Sequence, residues 1–175
     1  MFLKIFIGIV VVIGAILIYA STKPDVFSVS QSEVIQASPE VIFPYVNEIR
    51  GWELWSPYNN QKDLVHNYGT IPTGPGAADD WVSPQMGKGR LAVKSSTSPS
   101  VVGLDLTMTR PFEVVNDIQI TLEPEGSGTK VTWTMTGPMN LMSKTMHVFM
   151  NMDKMVKNDF AKGLSTLKQL AESKM

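Results

Sequence analysis

The sequence predicts an α+β protein in which a curved antiparallel sheet of about six or seven strands surrounds one long C-terminal helix. A separate apolar helix is predicted at the N-terminus. Three observations support this class: an uncharged apolar run near the start, a middle section that alternates apolar and polar residues, and an amphipathic final segment. The 175 residues leave room for one ordinary domain beyond the apolar run.

The apolar run covers residues 5–20 and contains no charged side chain. Together with the residues before it, the run would form a helix of about 30 Å, which matches the hydrocarbon core of a bilayer. Tyr19 would lie at one membrane interface and Lys4 near the other. We therefore expect residues 1–20 to form a transmembrane anchor and residues 21–25 to form a short polar linker.

A cleaved secretory signal and a buried core helix are the alternative interpretations of this run. Signal cleavage requires small residues at alternating positions, and the bulky Ile18 or Tyr19 occupies one of them in each possible frame. Lys4 favours a cytoplasmic N-terminus with the following domain outside the cytoplasm, whereas Lys23 on the other flank weakens that orientation.

Composition excludes several classes of function. The formal charge is −1, from 15 basic and 16 acidic residues, so the chain lacks the basic field of a nucleic-acid-binding protein. With no cysteine, the chain has no disulfide, thiolate zinc site or thiol nucleophile. Only His66 and His147 could supply imidazole ligands, so we expect neither a metal site nor a cofactor.

The part after the linker begins with a β-branched stretch, residues 26–37, which predicts a strand. Ser38, Pro39 and Glu40 then suit the start of a helix. Serine can cap the first turn, proline fits the first helical position, and glutamate faces the positive end of the helix dipole. A second short helix or turn is predicted around residues 52–55.

Further strands are predicted wherever apolar and polar residues alternate between turn sequences. These stretches cover residues 63–69, 77–83, 90–96, 102–108, 118–122 and 131–135. Because alternation gives the sheet one apolar face and one wet face, the apolar face needs a cover.

The final segment, residues 141–173, contains one glycine and no proline, and it predicts one continuous helix of roughly 30 residues. At 100° per residue, a group of apolar side chains falls on one side of this helix. The group consists of Met142, Met146, Phe149, Val156, Phe160, Leu164 and Leu167. This apolar side would cover the sheet, and Asp153 would lie within it.

Several motifs in residues 26–175 resemble the SRPBCC family, the START-like polyketide cyclase/dehydrase group. The motifs are SPEVIF at 38–43, WELWSP at 52–57, GPGA at 74–77, GKG at 87–89, GTKVTW at 128–133 and FAKGL at 160–164. The resemblance implies a helix-grip fold with a cavity between sheet and helix. In related families that cavity holds lipids, sterols, polyketides or other hydrophobic molecules.

The residues expected to form the cavity are mostly aromatic side chains and methionines, whose thioethers adapt to irregular shapes. They are Trp55, Trp81, Met108, Phe112, Trp133, Met135, Met146, Phe149 and Phe160. Each of them could equally be ordinary core packing. Asp153 is expected to be a polar group that orients the ligand, with an exposed position as the alternative.

The favoured function is membrane-anchored binding of a hydrophobic small molecule or a lipid from the adjacent bilayer. A cyclase, dehydratase or isomerase that uses the same pocket is the second interpretation, and a ligand-free interaction domain is the third. The sequence contains no hydrolase elbow or phosphate-binding glycine loop, which favours binding over catalysis. Asp79 and Asp80 are adjacent in a strand and should point to opposite faces, so they are not expected to act as a pair.

Overall fold

The computed structural model describes residues 2–59, 61–110 and 113–174. Within these residues, four α-helices and seven strands follow one another, with a 3₁₀ turn at Ile49–Leu54. The helices are α1 (Phe2–Ser21), α2 (Pro39–Asn47), α3 (Leu141–Phe149) and α4 (Met152–Glu172). The strands are β1 (Val26–Ile35), β2 (Val65–Tyr68), β3 (Ala78–Ser83), β4 (Gly87–Thr97), β5 (Val101–Arg110), β6 (Val114–Glu125) and β7 (Gly128–Pro138).

The strands form one antiparallel sheet in the order β1-β7-β6-β5-β4-β3-β2. Each strand from β2 to β6 pairs with the next along the chain, and β1 pairs with β7. The β4–β5 register shifts between Lys88 and Gly89 and again between Val93 and Ser95. Such irregularities bend and twist a sheet. The architecture confirms the predicted α+β helix-grip fold.

The inner face of the sheet follows the alternation in the sequence. On β6, Ile118 and Ile120 are buried, and on β7 Val131, Trp133 and Met135 are buried. The residues between them point to the outer face, because side chains of a strand alternate between its two sides. The predicted strands therefore have the predicted apolar faces.

Helix α2 begins at Pro39, as predicted, and the 3₁₀ turn after it carries two buried tryptophans. The indole Nε1 of Trp52 donates to the carbonyl of Val46, and that of Trp55 donates to the carbonyl of Tyr45, each at 3.0 Å. These bonds satisfy both buried donors and fix the turn against α2.

Helix α4 covers the sheet at β1 and β7, where Phe160, Leu164 and Leu167 are buried. The expectation of one continuous helix over residues 141–173 is wrong. Met150 adopts an extended conformation, and the Asn151 side chain accepts a hydrogen bond from the backbone N–H of Lys154 at 3.0 Å. Asparagine is a preferred N-cap, so the chain ends one helix here and starts another.

Helix α1 is long and apolar enough to cross a membrane, a property that it shares with signal sequences. Nearly all of its side chains face outward, and Ala20 near its C-terminal end is buried. Helix α1 packs against α3.

Candidate functional site

A cavity of about 450 Å³ lies between the sheet and α4. Its walls come from strands β2 to β7, from the 3₁₀ turn and the loop after it, and from the N-terminal half of α4. This volume is within the range of small-molecule sites in proteins. The walls are predominantly apolar, and only a few polar side chains interrupt them.

Aromatic rings from the sheet and from α4 meet at one part of the wall. The rings of Trp133 and Phe160 stack with centroids 4.0 Å apart and planes 6° apart. Trp52 meets Trp133 edge-on at 5.4 Å. Because these contacts join β7, α4 and the 3₁₀ turn, they hold the wall in a defined shape.

A histidine–carboxylate pair lies at the β2–β3 part of the cavity. The Nδ1 atom of His66 is 2.6 Å from Oδ2 of Asp79, and both side chains are largely buried. The His66 ring also stacks on Tyr68, with centroids 5.3 Å apart and planes 10° apart. One carboxylate and one aromatic ring therefore fix the orientation of the imidazole.

Tyr68 is itself held in place by two neighbours. Its hydroxyl donates to Glu53, and the guanidinium of Arg50 lies 4.5 Å from its ring centroid. Burial, the hydrogen bond to Glu53 and the charge of Asp79 all raise the pKa of the Tyr68 phenol, and the nearby Arg50 partly opposes them. The phenol thus stays neutral and supports His66 over a wide pH range.

Four buried polar atoms in the cavity wall have no hydrogen-bond partner among the described residues. They are Oδ1 of Asp79, Nε1 of Trp81, Oδ1 of Asn116 and Nε1 of Trp133. Buried polar atoms normally find partners, because leaving one unpaired costs about 1–3 kcal/mol. These two acceptors and two donors belong to side chains that line the cavity.

Five of the residues expected to form the pocket do line this cavity: Trp81, Met108, Trp133, Met135 and Phe160. Trp55 is buried behind it and lines an adjacent, more open pocket with Tyr58 and Asp159. Phe112 lies outside the described residues.

The remaining three expected residues lie outside the cavity. Met146 is 41% exposed, Phe149 is 67% exposed, and the Asp153 side chain is 56% exposed. The Asp153 carboxylate lies 3.5 Å from Nε2 of His147. The expectation that these side chains face the sheet is not met, because the break at Asn151 separates α3 from α4. A single helical wheel therefore does not describe both helices.

Three polar residues of the cavity wall were not predicted from the sequence: His66, Asp79 and Asn116. The alternation in β3 did indicate that Asp79 and Asp80 point to opposite faces, and this is confirmed: Asp80 pairs with Arg90 at 2.7 Å on the outer side. The β2–β3 register that brings His66 beside Asp79 carries no local sequence signal. In the described part of the chain, no group of three or more acidic or histidine side chains could hold a metal ion.

The family described as polyketide cyclase/dehydrase and lipid transport matches residues 26–172. The chain therefore belongs to this family, and the helix-grip fold with its internal cavity is that of the class. No curated protein sequence matches the chain.

Solved structures share the fold at low sequence identity. The Aha1 dimer from Colwellia psychrerythraea is 17% identical with a TM-score of 0.59, over 83% of this chain and 96% of that one. A protein from Mesorhizobium loti is 13% identical with a TM-score of 0.62, over 84% and 98%. A protein from Staphylococcus epidermidis is 16% identical with a TM-score of 0.58, over 88% and 93%. These likenesses define the fold alone.

Proposed function

We propose that the chain is a membrane-anchored protein that binds a hydrophobic small molecule or lipid in the cavity between the sheet and α4. One observation carries the proposal: a largely apolar cavity of about 450 Å³ is lined by side chains that include four buried polar atoms without partners among the described residues. An apolar enclosure with a few polar groups that fix orientation is typical of a small-molecule site.

The unpartnered atoms define the chemistry of the ligand further. The oxygens of Asp79 and Asn116 need hydrogen-bond donors, and the indole nitrogens of Trp81 and Trp133 need acceptors. A hydroxyl group is both donor and acceptor, whereas a pure hydrocarbon would leave all four atoms unsatisfied. The proposed ligand is therefore an apolar molecule that carries one or more hydroxyl groups.

In this proposal residues 1–20 anchor the domain, residues 21–25 link the two parts, and residues 26–175 hold the ligand. The apolar character of α1 supports the anchor, and Lys4 supports a cytoplasmic N-terminus with the domain outside the cytoplasm. The anchor would keep the cavity close to a supply of hydrophobic molecules.

Native mass spectrometry of the full chain, released from detergent micelles, tests ligand binding. We expect a bound small molecule in the wild type, and its loss when Met108→Trp fills part of the cavity. Thr107→Trp is the matched control, because Thr107 precedes Met108 on β5 and pairs with the outer-face residue Arg90. A wild-type chain without a bound molecule, or a Met108→Trp variant that retains it, would contradict the proposal.

The His66–Asp79 pair favours one second candidate, an isomerase that moves a proton within the bound molecule. When Asp79 is ionised it accepts the Nδ1–H of His66, which leaves Nε2 as the basic nitrogen. Nε2 could remove a proton from one atom of the ligand and return it to another, without a cofactor.

Deuterium uptake tests this second candidate. The full chain with its co-purified molecule is incubated in D₂O, and the mass of the molecule is then measured by mass spectrometry. An isomerase would place deuterium at a carbon position in the wild type and not in His66→Gln. Equal uptake in the two proteins would leave binding as the only function supported.

A further inference from the structure

In helix α3 a charged side chain is buried and large apolar side chains are exposed, the reverse of the usual arrangement. Its lysine, Lys144, is 7% exposed, whereas Met142 is 55% exposed and Phe149 is 67% exposed. Met146 and, at the C-terminal cap of the helix, Met150 are also exposed. The spacing of Met142, Met146 and Phe149 places these three residues along one side of the helix. Lysine is among the residues least often buried, and a contiguous exposed apolar surface marks an interaction site.

The inward side of α3 is fixed by polar contacts. The Nζ atom of Lys144 donates to Oδ1 of Asp25 at 2.5 Å, and the backbone N–H of Met139 donates to the carbonyl of Asp25 at 2.7 Å. His147 Nδ1 lies 2.9 Å from the carbonyl oxygen of Ser143 on the preceding turn. Asp25 belongs to the connection that follows α1, so its two contacts link α3 and the residue before it to the end of α1.

Helix α3, which carries this exposed apolar side, is in contact with the apolar helix α1. The residues of α1 that are covered, Gly14, Ile16 and Ala20, all lie in its C-terminal half. At the same end, Lys23 donates to the hydroxyl of Tyr19 at 3.0 Å. Tyrosine and lysine are typical of the boundary between hydrocarbon and headgroups.

We propose that the exposed side of α3, formed by Met142, Met146 and Phe149 with Met150 at the C-terminal cap, lies in the headgroup–acyl boundary of the same bilayer that α1 spans. The partner is a lipid surface. This inference rests on the proposed role of α1 as an anchor. Amphipathic helices bind membranes in this way, with the apolar side buried in the boundary region.

Helix α3, which is proposed to contact the bilayer, is close in the chain to the cavity. Met150 precedes Met152 by two residues, and Met152 lines the cavity. The break between α3 and α4 therefore lies between the bilayer contact and the ligand cavity. The surface would therefore hold the cavity close to the bilayer.

The absence of cysteine from the chain permits a direct test with single labels. In the full chain, a cysteine introduced by Phe149→Cys is labelled with the environment-sensitive fluorophore NBD. The labelled protein is then reconstituted into phosphatidylcholine vesicles. The quencher for residues 149 and 127 is a phosphatidylcholine with a doxyl group near the headgroup end of its acyl chain, and the quencher for residue 9 carries the doxyl group deep in the acyl chain. Ser127→Cys, in the turn between β6 and β7, is the exposed control, and Ile9→Cys reports on α1.

We expect severalfold stronger quenching at residue 149 than at residue 127, with strong quenching at residue 9. Strong quenching at residue 9 with control-level quenching at residue 149 would overturn the inference and leave the anchor in place. Control-level quenching at both residues would overturn the anchor and the inference together. Energy transfer between labels at residue 149 on different chains, without lipid quenching, would assign the surface to a second copy and overturn the inference.

Discussion

Replacement of Phe160 by alanine tests how α4 is held on the sheet. Phe160 is 1% exposed, its ring stacks on Trp133 at 4.0 Å, and it borders the cavity. Removal of the ring loses its burial from water and enlarges a space that is already open.

The expected cost follows from comparable core substitutions. Phe→Ala changes in protein cores destabilise by about 3–5 kcal/mol, of which an aromatic pair contributes about 0.5–1.5 kcal/mol. Because one side of the Phe160 ring faces the cavity and has fewer packing contacts to lose, we expect about 3–4 kcal/mol. For a domain of this size, the melting temperature should fall by roughly 6–16 °C.

The assay is thermal and urea unfolding of the full chain in one detergent, followed by near-ultraviolet circular dichroism. Phe149→Ala is the matched control, because Phe149 is 67% exposed and its loss should change the free energy of unfolding by about 0.5 kcal/mol or less. If the two substitutions destabilise equally, the assignment of the buried side of α4 is refuted.

Three further outcomes are expected. Gly89→Ala should destabilise by about 1–3 kcal/mol in urea unfolding and weaken ligand retention, because its Cβ would lie 2.3 Å from the Trp81 ring in the cavity wall. Burial, with the charge of Asp159, raises the pKa of Tyr58 above its ordinary value, so the contribution of Tyr58 to stability should be constant below about pH 10 and fall above it as the unfolded chain ionises. Urea midpoints measured across that range should fall less steeply in Tyr58→Phe, and equal slopes would contradict the assignment. Asp153→Asn should leave the bound molecule seen by native mass spectrometry unchanged, because this carboxylate lies outside the cavity.

Much of the fold could be predicted because it depends on local periodicity. The alternation in β6 and β7 identified the buried face of the sheet, and Ser38 with Pro39 identified the start of α2. Five of the expected residues lie on the cavity wall, since the strands and the part of α4 that carry them have the faces that the sequence predicts.

The candidate site could be predicted only in part, since its polar groups come together through pairing between strands. His66 and Asp79 are 13 residues apart, and the antiparallel β2–β3 register brings them within 2.6 Å. Nothing in the residues around either one specifies that register.

The sequence by itself determined the apolar N-terminal helix, the alternating faces of the strands and the amphipathic character of the final segment, because each depends on residues close together in the chain. Only the tertiary structure decided the direction in which α3 faces. Lys144, which contacts Asp25 at 119 residues' separation, is buried, whereas Met142 and Phe149 on the other side of α3 are exposed. A helical pattern specifies two opposite faces, but long-range contacts determine which of them is buried.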